Sequence, residues 1–113
     1  MTTGSDLKRR ATESRDNAAA FAGLTLALSR LRTAAEVRAF LSDLCTPAEL
    51  EAMADRWKVV PLLLEGVPYR EIHDQTQVSV TTIGRVAKTL DHGAGGYAAA
   101  VRRQYRQKSI PSH

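Results

Sequence analysis

Hydroxyl and basic side chains are concentrated in the stretch SVTTIGRVAK. In a helix with about 100° per residue, Thr81, Arg85 and Lys88 point away from the apolar positions, and Thr82 and Gly84 flank them. Threonine hydroxyls bond to base edges or phosphates, arginine pairs in a bidentate way with guanine, and lysine suits the phosphate backbone. This face therefore has the chemistry needed to contact DNA in the major groove.

Two short helices joined by a turn must position that face. The sequence pattern predicts a first helix over residues 69–76 and a turn at Gln77 and Val78. It predicts Ser79 as the N-cap of the second helix. The apolar and small residues expected to face the core are Ile72, Thr76, Val80, Ile83, Val86, Ala87 and Leu90. The pattern over about residues 69–90 is typical of a helix-turn-helix, in which the second helix enters the major groove.

The same spacing also fits a plain hairpin of helices in an all-α core, whose outer face is polar because it is solvated. The pattern alone leaves both interpretations open. The DNA interpretation assigns contacts with the groove and with the phosphate backbone to two sets of side chains. They are Ser79, Thr81, Thr82, Arg85 and Lys88 for the groove, and Tyr69 and Arg70 for the backbone.

Periodic apolar residues predict three helices before this pair and one after it. Their apolar positions are Phe21, Leu24, Leu28 and Leu31; Val37, Phe40, Leu41 and Leu44; Leu50, Met53, Trp57, Val60 and Leu64; and Val101 and Tyr105. The segments 33–36 and 46–49 have the form of capping boxes at the starts of the second and third helices. Pro61 predicts a kink or an earlier end of the third helix. No stretch has a strand pattern, so the predicted fold class is all-α.

The length and composition fit one modest domain. The chain has 113 residues, of which 43% are hydrophobic and 25% are charged. Its net charge of +4 and pI near 9.6 favour an anionic partner such as nucleic acid or a membrane surface. The last helix, from Tyr97 to about Lys108, is expected to expose basic residues, namely Arg102, Arg103 and Arg106. We predict a mobile polar arm over residues 1–15, a single domain over 16–108 and a C-terminal tail over 109–113.

Other classes of site find little support in the sequence. The single cysteine, Cys45, excludes an intramolecular disulfide and is expected to be a buried thiol. No apolar segment has the length of a secretory signal or a transmembrane helix, so we predict a cytoplasmic protein. No histidine lies at metal-ligand spacing with a second donor, and residues 93–96 lack the lysine of a phosphate loop. We therefore predict no catalytic residue, no metal ion and no cofactor.

The runs LCTPAELEAMADRWKVVPLLLEG and YREIHDQTQVSVTTIGRVAKTL, followed by HGAGGY, carry a more specific resemblance. Over about residues 44–97 the chain resembles the Trp repressor superfamily, and is most similar to the Trp repressor-related proteins of the YerC/YecD type. The resemblance implies an all-α, intertwined homodimer in which each protomer presents one helix-turn-helix. Such a two-fold dimer would bind double-stranded DNA at a roughly palindromic operator and repress transcription.

The resemblance also implies where an effector would bind. Thr46, Arg56 and Arg85 match the family positions that hold tryptophan. The chain departs from the Trp repressor at Val86, where the repressor has a glycine, and at Thr89, where it has a serine. The added methyl groups would overfill the indole site, at a typical cost of about 1–3 kcal/mol. We therefore do not expect tryptophan to be the effector.

Two functions of other classes stay open at this stage. The first is a small all-α enzyme or ligand-binding protein with a pocket at the dimer interface. That pocket would hold an anionic metabolite between Glu49, Arg56 and Arg85. The second is a protein-interaction module that keeps the helix-turn-helix without any role in DNA binding.

Overall fold

The structure, a computed structural model, describes the backbone of residues 3–109 and the side chains of residues 6–105. Every element within this range is a helix, which confirms the predicted all-α class. The helices are α1 (Thr3–Ser29), α2 (Ala34–Leu44), α3 (Pro47–Leu64), α4 (Tyr69–Thr76), α5 (Val80–His92) and α6 (Gly96–Ser109). Within these residues the chain divides into two compact units, one up to Leu44 and one from Cys45 on. The single domain over residues 16–108 stays a prediction.

The first unit contains α1 and α2. The helix α1 begins at Thr3, so the segment predicted to be a mobile arm is helical from that residue on. All the described side chains of this segment, residues 6–15, are exposed. The apolar side chains of the unit are half-buried or exposed, and Phe21 is 71% exposed. The two helices therefore do not enclose a core of their own.

Both α2 and α3 begin with reciprocal hydrogen bonds between a threonine and the glutamate three residues later. The hydroxyl of Thr33 accepts from the N–H of Glu36 at 3.1 Å, and the Glu36 carboxylate accepts from the N–H of Thr33 at 3.3 Å. At α3, Thr46 accepts from the N–H of Glu49 at 3.1 Å, and Glu49 accepts from the N–H of Thr46 at 2.8 Å. The backbone bond from Thr46, and then its side-chain bond, lower the pKa of Glu49. Both predicted capping boxes are confirmed.

The second unit has a small core formed where α3 packs against α4, α5 and α6, and α4 packs against α5. Its buried side chains are Val59, Val60, Ile72, Val78, Ile83, Val86 and Val101. Trp57 and Tyr97 border this core, with ring centroids 6.4 Å apart and an interplanar angle of 34°. The core is thus built mainly from valines and two isoleucines, and it holds the two helices of the predicted helix-turn-helix together.

The burial of α3 differs from its predicted stripe. Val59 is fully buried, whereas Met53 is 39% exposed and Leu64 is 52% exposed. Because three other helices pack on α3, its buried side is wider than a single stripe and includes the adjacent residues Val59 and Val60. The helix continues through Pro61 to Leu64, so the earlier helix end that Pro61 allowed does not occur.

The last helix also differs from its prediction. Val101 is buried as expected, but Tyr105 is 47% exposed. One turn beyond Val101, Tyr105 lies outside the buried cluster. Arg102 and Arg103 are exposed, while the side chain of Arg106 lies outside the described residues, as do residues 110–113 of the predicted tail.

Candidate nucleic-acid interface

The turn between α4 and α5 is closed by hydrogen bonds from both of its ends. Gln77 adopts the left-handed conformation, with φ 65°, and its N–H donates to the carbonyl oxygen of His73 at 2.7 Å. The Nδ1 atom of His73 lies 2.7 Å from the carbonyl oxygen of Val78. Since a carbonyl only accepts, Nδ1 carries the proton and donates it. His73 therefore ties α4 directly to Val78, the residue before the N-cap of α5.

The hydroxyl groups of Thr76, Ser79 and Thr82 complete the turn. The Thr76 hydroxyl donates to the carbonyl of Ile72 at 2.7 Å and accepts from the N–H of Val78 at 3.2 Å. The Ser79 hydroxyl accepts from the N–H of Thr82 at 3.1 Å, which confirms Ser79 as the N-cap of α5. The two hydroxyls of Ser79 and Thr82 also bond to each other at 3.0 Å. These two predicted DNA contacts are therefore already engaged in starting the helix.

The outward face of α5 is formed by the side chains that the spacing predicted. Thr81, Arg85 and Lys88 are exposed, whereas Ile83 and Val86 are buried. Within the described side chains the one ion pair joins Lys58 and Asp55, at 3.3 Å, so it occupies neither basic residue of this face. The guanidinium of Arg85 and the ammonium of Lys88 are thus presented to solvent at one surface.

Val80 does not face the core, contrary to the sequence prediction, and is 50% exposed. At about 100° per residue, it lies roughly 90° around the helix from the direction shared by Ile83 and Val86. Gly84 follows one turn later on the same side of α5. Val80 and Gly84 therefore border the polar face of α5. Their i, i+4 spacing in the sequence could have predicted this position.

The two residues predicted to contact the DNA backbone lie at the start of α4. Tyr69 is 43% exposed, and Arg70 is exposed. A Cβ atom built on Gly84 would lie 4.0 Å from Cε2 of Tyr69, so the tyrosine ring is beside the middle of α5. The structure therefore brings Tyr69 to the surface that carries the basic residues of α5.

A pocket of about 290 Å³ lies near the start of α5. It is lined by Ala52, Asp55, Arg56, Gln77, Val78, Ser79 and Thr82. Of the three residues expected to hold an effector, Arg56 lines this pocket, and Thr46 and Arg85 do not. Glu49, which the enzyme alternative requires beside Arg56, is also outside it and instead caps α3. The pocket therefore does not bring together the set predicted for an anionic metabolite.

Among the described side chains, no three His, Cys, Asp or Glu residues are placed to hold one metal ion. Cys45 is half-buried rather than fully buried as expected. None of the helices in the described part of the chain combines the length and apolar character required to cross a bilayer.

Comparison with known proteins agrees with this geometry. The family model described as "Trp repressor protein" matches residues 20–105, which include α2 to α5 in full. The chain is also 37% identical over 73 residues to the uncharacterized protein YerC of Bacillus subtilis (strain 168), an alignment that covers 65% of this chain and 70% of that protein. The chain belongs to the Trp repressor family.

Proposed function

We propose that this protein is a sequence-specific regulator of transcription, and specifically a repressor, that inserts α5 into the major groove of double-stranded DNA. The observation that carries the proposal is the exposed face of Thr81, Arg85 and Lys88 on a helix held in place by a closed turn. A helix of this kind fits the major groove, where each base pair presents a distinct set of donors and acceptors.

The exposed residues divide by the contacts they suit. Arg85 has the planar guanidinium that pairs with guanine, and Thr81 has a free-standing hydroxyl beside it for a base edge. Lys88, farther along α5, suits a phosphate, and Tyr69 and Arg70 at the start of α4 suit the backbone that this helix would cross. Ser79 and Thr82 contribute less to recognition, because their hydroxyls already bond to α5 and to each other.

The proposed DNA-binding form is a homodimer. The first unit leaves large apolar side chains uncovered, with Phe21 71%, Leu26 49% and Leu44 52% exposed. Two such units from different chains would bury these faces against each other, as an obligate dimer interface requires. A two-fold dimer presents two copies of α5, so its operator is palindromic, with half-sites about one helical turn apart.

Tryptophan is not the proposed effector. The Val86 side chain is 1% exposed and belongs to the core, so the position that is a glycine in the Trp repressor is filled here. The pocket beside Arg56 adjoins the N-cap Ser79, which would let a bound molecule act on the start of α5.

The test is to incubate a pool of random duplex DNA with the purified protein at two salt concentrations. The DNA that the protein retains is then selected and sequenced. We expect a palindromic consensus, with affinity that falls steeply as salt rises because each neutralised phosphate releases counterions. Salt-sensitive retention without any consensus would contradict sequence-specific reading. Absence of retention at both salt concentrations would contradict DNA binding altogether.

A further inference from the structure

The exposed surface of α5 includes a small apolar patch that the polar contacts do not explain. We define the apolar patch as Tyr69, Val80 and Gly84. Val80 is 50% exposed, and Gly84 follows it by one turn on the same side of the helix. The ring of Tyr69, itself 43% exposed, lies beside Gly84. The patch thus combines an aliphatic side chain, an aromatic ring and an open stretch of helix backbone.

Gly84 has no structural reason to be a glycine within this chain. A Cβ atom there would meet Cε2 of Tyr69 at 4.0 Å, an ordinary van der Waals distance, and no closer atom. Its φ is not in the left-handed region, unlike that of Gly66 and Gly95. Because glycine is less favourable in a helix interior than every residue except proline, the missing side chain weakens α5 without any gain in packing. The missing side chain does leave room for something outside the chain to approach the backbone of α5 closely, next to the ring of Tyr69.

The surroundings of the apolar patch indicate what approaches it. Thr81, Arg85 and Lys88 are exposed neighbours on the same helix, and two basic groups beside a hydroxyl favour an anionic partner with hydrogen-bonding edges. A major groove offers these together with one apolar group, the C5-methyl of thymine. A methyl group fits against a valine and a tyrosine ring, provided that no Cβ atom at residue 84 occupies the same space.

We propose that the apolar patch receives the C5-methyl group of a thymine, and so makes thymine the preferred base at one position of each half-site. This inference rests on the proposed DNA binding. It goes further by naming the base that the protein recognises next to the one contacted by Arg85. Val80 and Tyr69 supply the apolar contact, and Gly84 supplies the space for it.

The test replaces single thymines of the selected operator with deoxyuridine, which differs only in lacking the C5-methyl. For the wild-type protein we expect one position in each half-site where the replacement weakens binding about fourfold. This factor corresponds to about 0.8 kcal/mol for one buried methyl group. Replacement at the other thymines should change the dissociation constant less than twofold.

Variants of the patch identify the residues responsible. In Gly84→Ala the added methyl group takes the place of the thymine methyl, so the thymine-to-uracil ratio should fall to about one. In Val80→Ala the ratio should fall below the wild-type value, since part of the apolar contact is lost. Gly96→Ala is the matched control, because Gly96 is another helical glycine with no atom within 4 Å of the added Cβ, and it lies in α6, outside the faces proposed for DNA binding and dimer formation. It should keep the fourfold ratio.

Thermal unfolding separates this reading from damage to the fold. Gly84→Ala and Gly96→Ala should both raise Tm by roughly 4 °C or less, since alanine favours a helix and restricts the unfolded chain. Gly84→Ala should therefore be more stable and yet lose the preference for thymine. A selected operator whose thymines are all insensitive to deoxyuridine, or a Gly84→Ala ratio still near four, would overturn the inference while leaving DNA binding intact. Failure to select any operator would instead overturn the proposed function, and this inference with it.

Discussion

Replacing Ile83 with alanine is expected to destabilise the protein by about 2–5 kcal/mol, whereas the same change at Val80, three residues earlier on α5, should cost less than about 0.5 kcal/mol. Ile83 is 0% exposed and is one of the two largest fully buried side chains of the second unit. Alanine removes three carbons, worth about 2.4 kcal/mol at about 0.8 kcal/mol each, and the cavity left behind adds to this.

The magnitude at Val80 follows from its exposure. Alanine removes two carbons there, but Val80 is already 50% exposed, so the lost burial amounts to roughly 0.8 kcal/mol. The higher helix propensity of alanine offsets about 0.5 kcal/mol of this loss. The two substitutions therefore differ several-fold in cost although both remove an aliphatic side chain from the same helix.

The measurement is chemical denaturation of both variants, followed by far-UV circular dichroism at one protein concentration. The concentration is held constant because dimer formation contributes to apparent stability. The two variants should also differ in the opposite sense in DNA binding, with Val80→Ala altering base preference and Ile83→Ala, where still folded, preserving it. Equal losses of stability would mean that Val80 is buried, and the assignment of the apolar patch to the surface would be wrong.

Three further predictions follow from the turn, the exposed face and the caps. Arg85→Ala should relax base preference, whereas Lys88→Ala should weaken all sequences alike and reduce the slope of log affinity against log salt by about one; selection and titration on both variants test this. His73→Ala leaves the Val78 carbonyl without its donor, so unfolding in urea should show a loss of about 1–3 kcal/mol. The lowered pKa of Glu49 means that its charged form stabilises the fold above its ordinary value of 4.5, and that this contribution disappears as pH falls through the lowered pKa. Glu49→Gln should therefore be less stable than wild type at pH 7, and denaturation curves at decreasing pH should show the difference shrink below pH 4.5 and vanish below the lowered pKa. A difference that stays constant with pH would contradict the capping role.

Features that depend on a few consecutive residues could be predicted from the sequence. The capping boxes at Thr33 and Thr46 and the N-cap at Ser79 are hydrogen bonds within four residues, so local spacing is sufficient to specify them. The outward direction of Arg85 and Lys88 follows from the helical period once Ile83 is assigned to the core. For this reason, most of the candidate DNA-contacting face could be predicted from the sequence.

Burial at the edges of each helix could not be predicted in the same way. Val80, Met53 and Tyr105 occupy apolar positions of regular patterns, yet each is more than a third exposed. Val59 lies outside the predicted stripe, yet it is fully buried. Whether such a residue is buried depends on where the neighbouring helices end and on how many of them pack against the same side. The periodic pattern of one helix gives no information about either.

The sequence by itself therefore determined the all-α class, the positions of α4 and α5 and the basic face of α5, because these follow from backbone hydrogen bonding and a period of 3.6 residues. Only the tertiary structure decided that His73 closes the turn on Val78 and that Tyr69 lies beside Gly84. These contacts join residues of different segments, and their distances are set by the packing of α3, α4 and α5 around a shared core. The apolar patch therefore owes the ring of Tyr69 to that packing, whereas Val80 and Gly84 share one side of α5 by their spacing in the sequence.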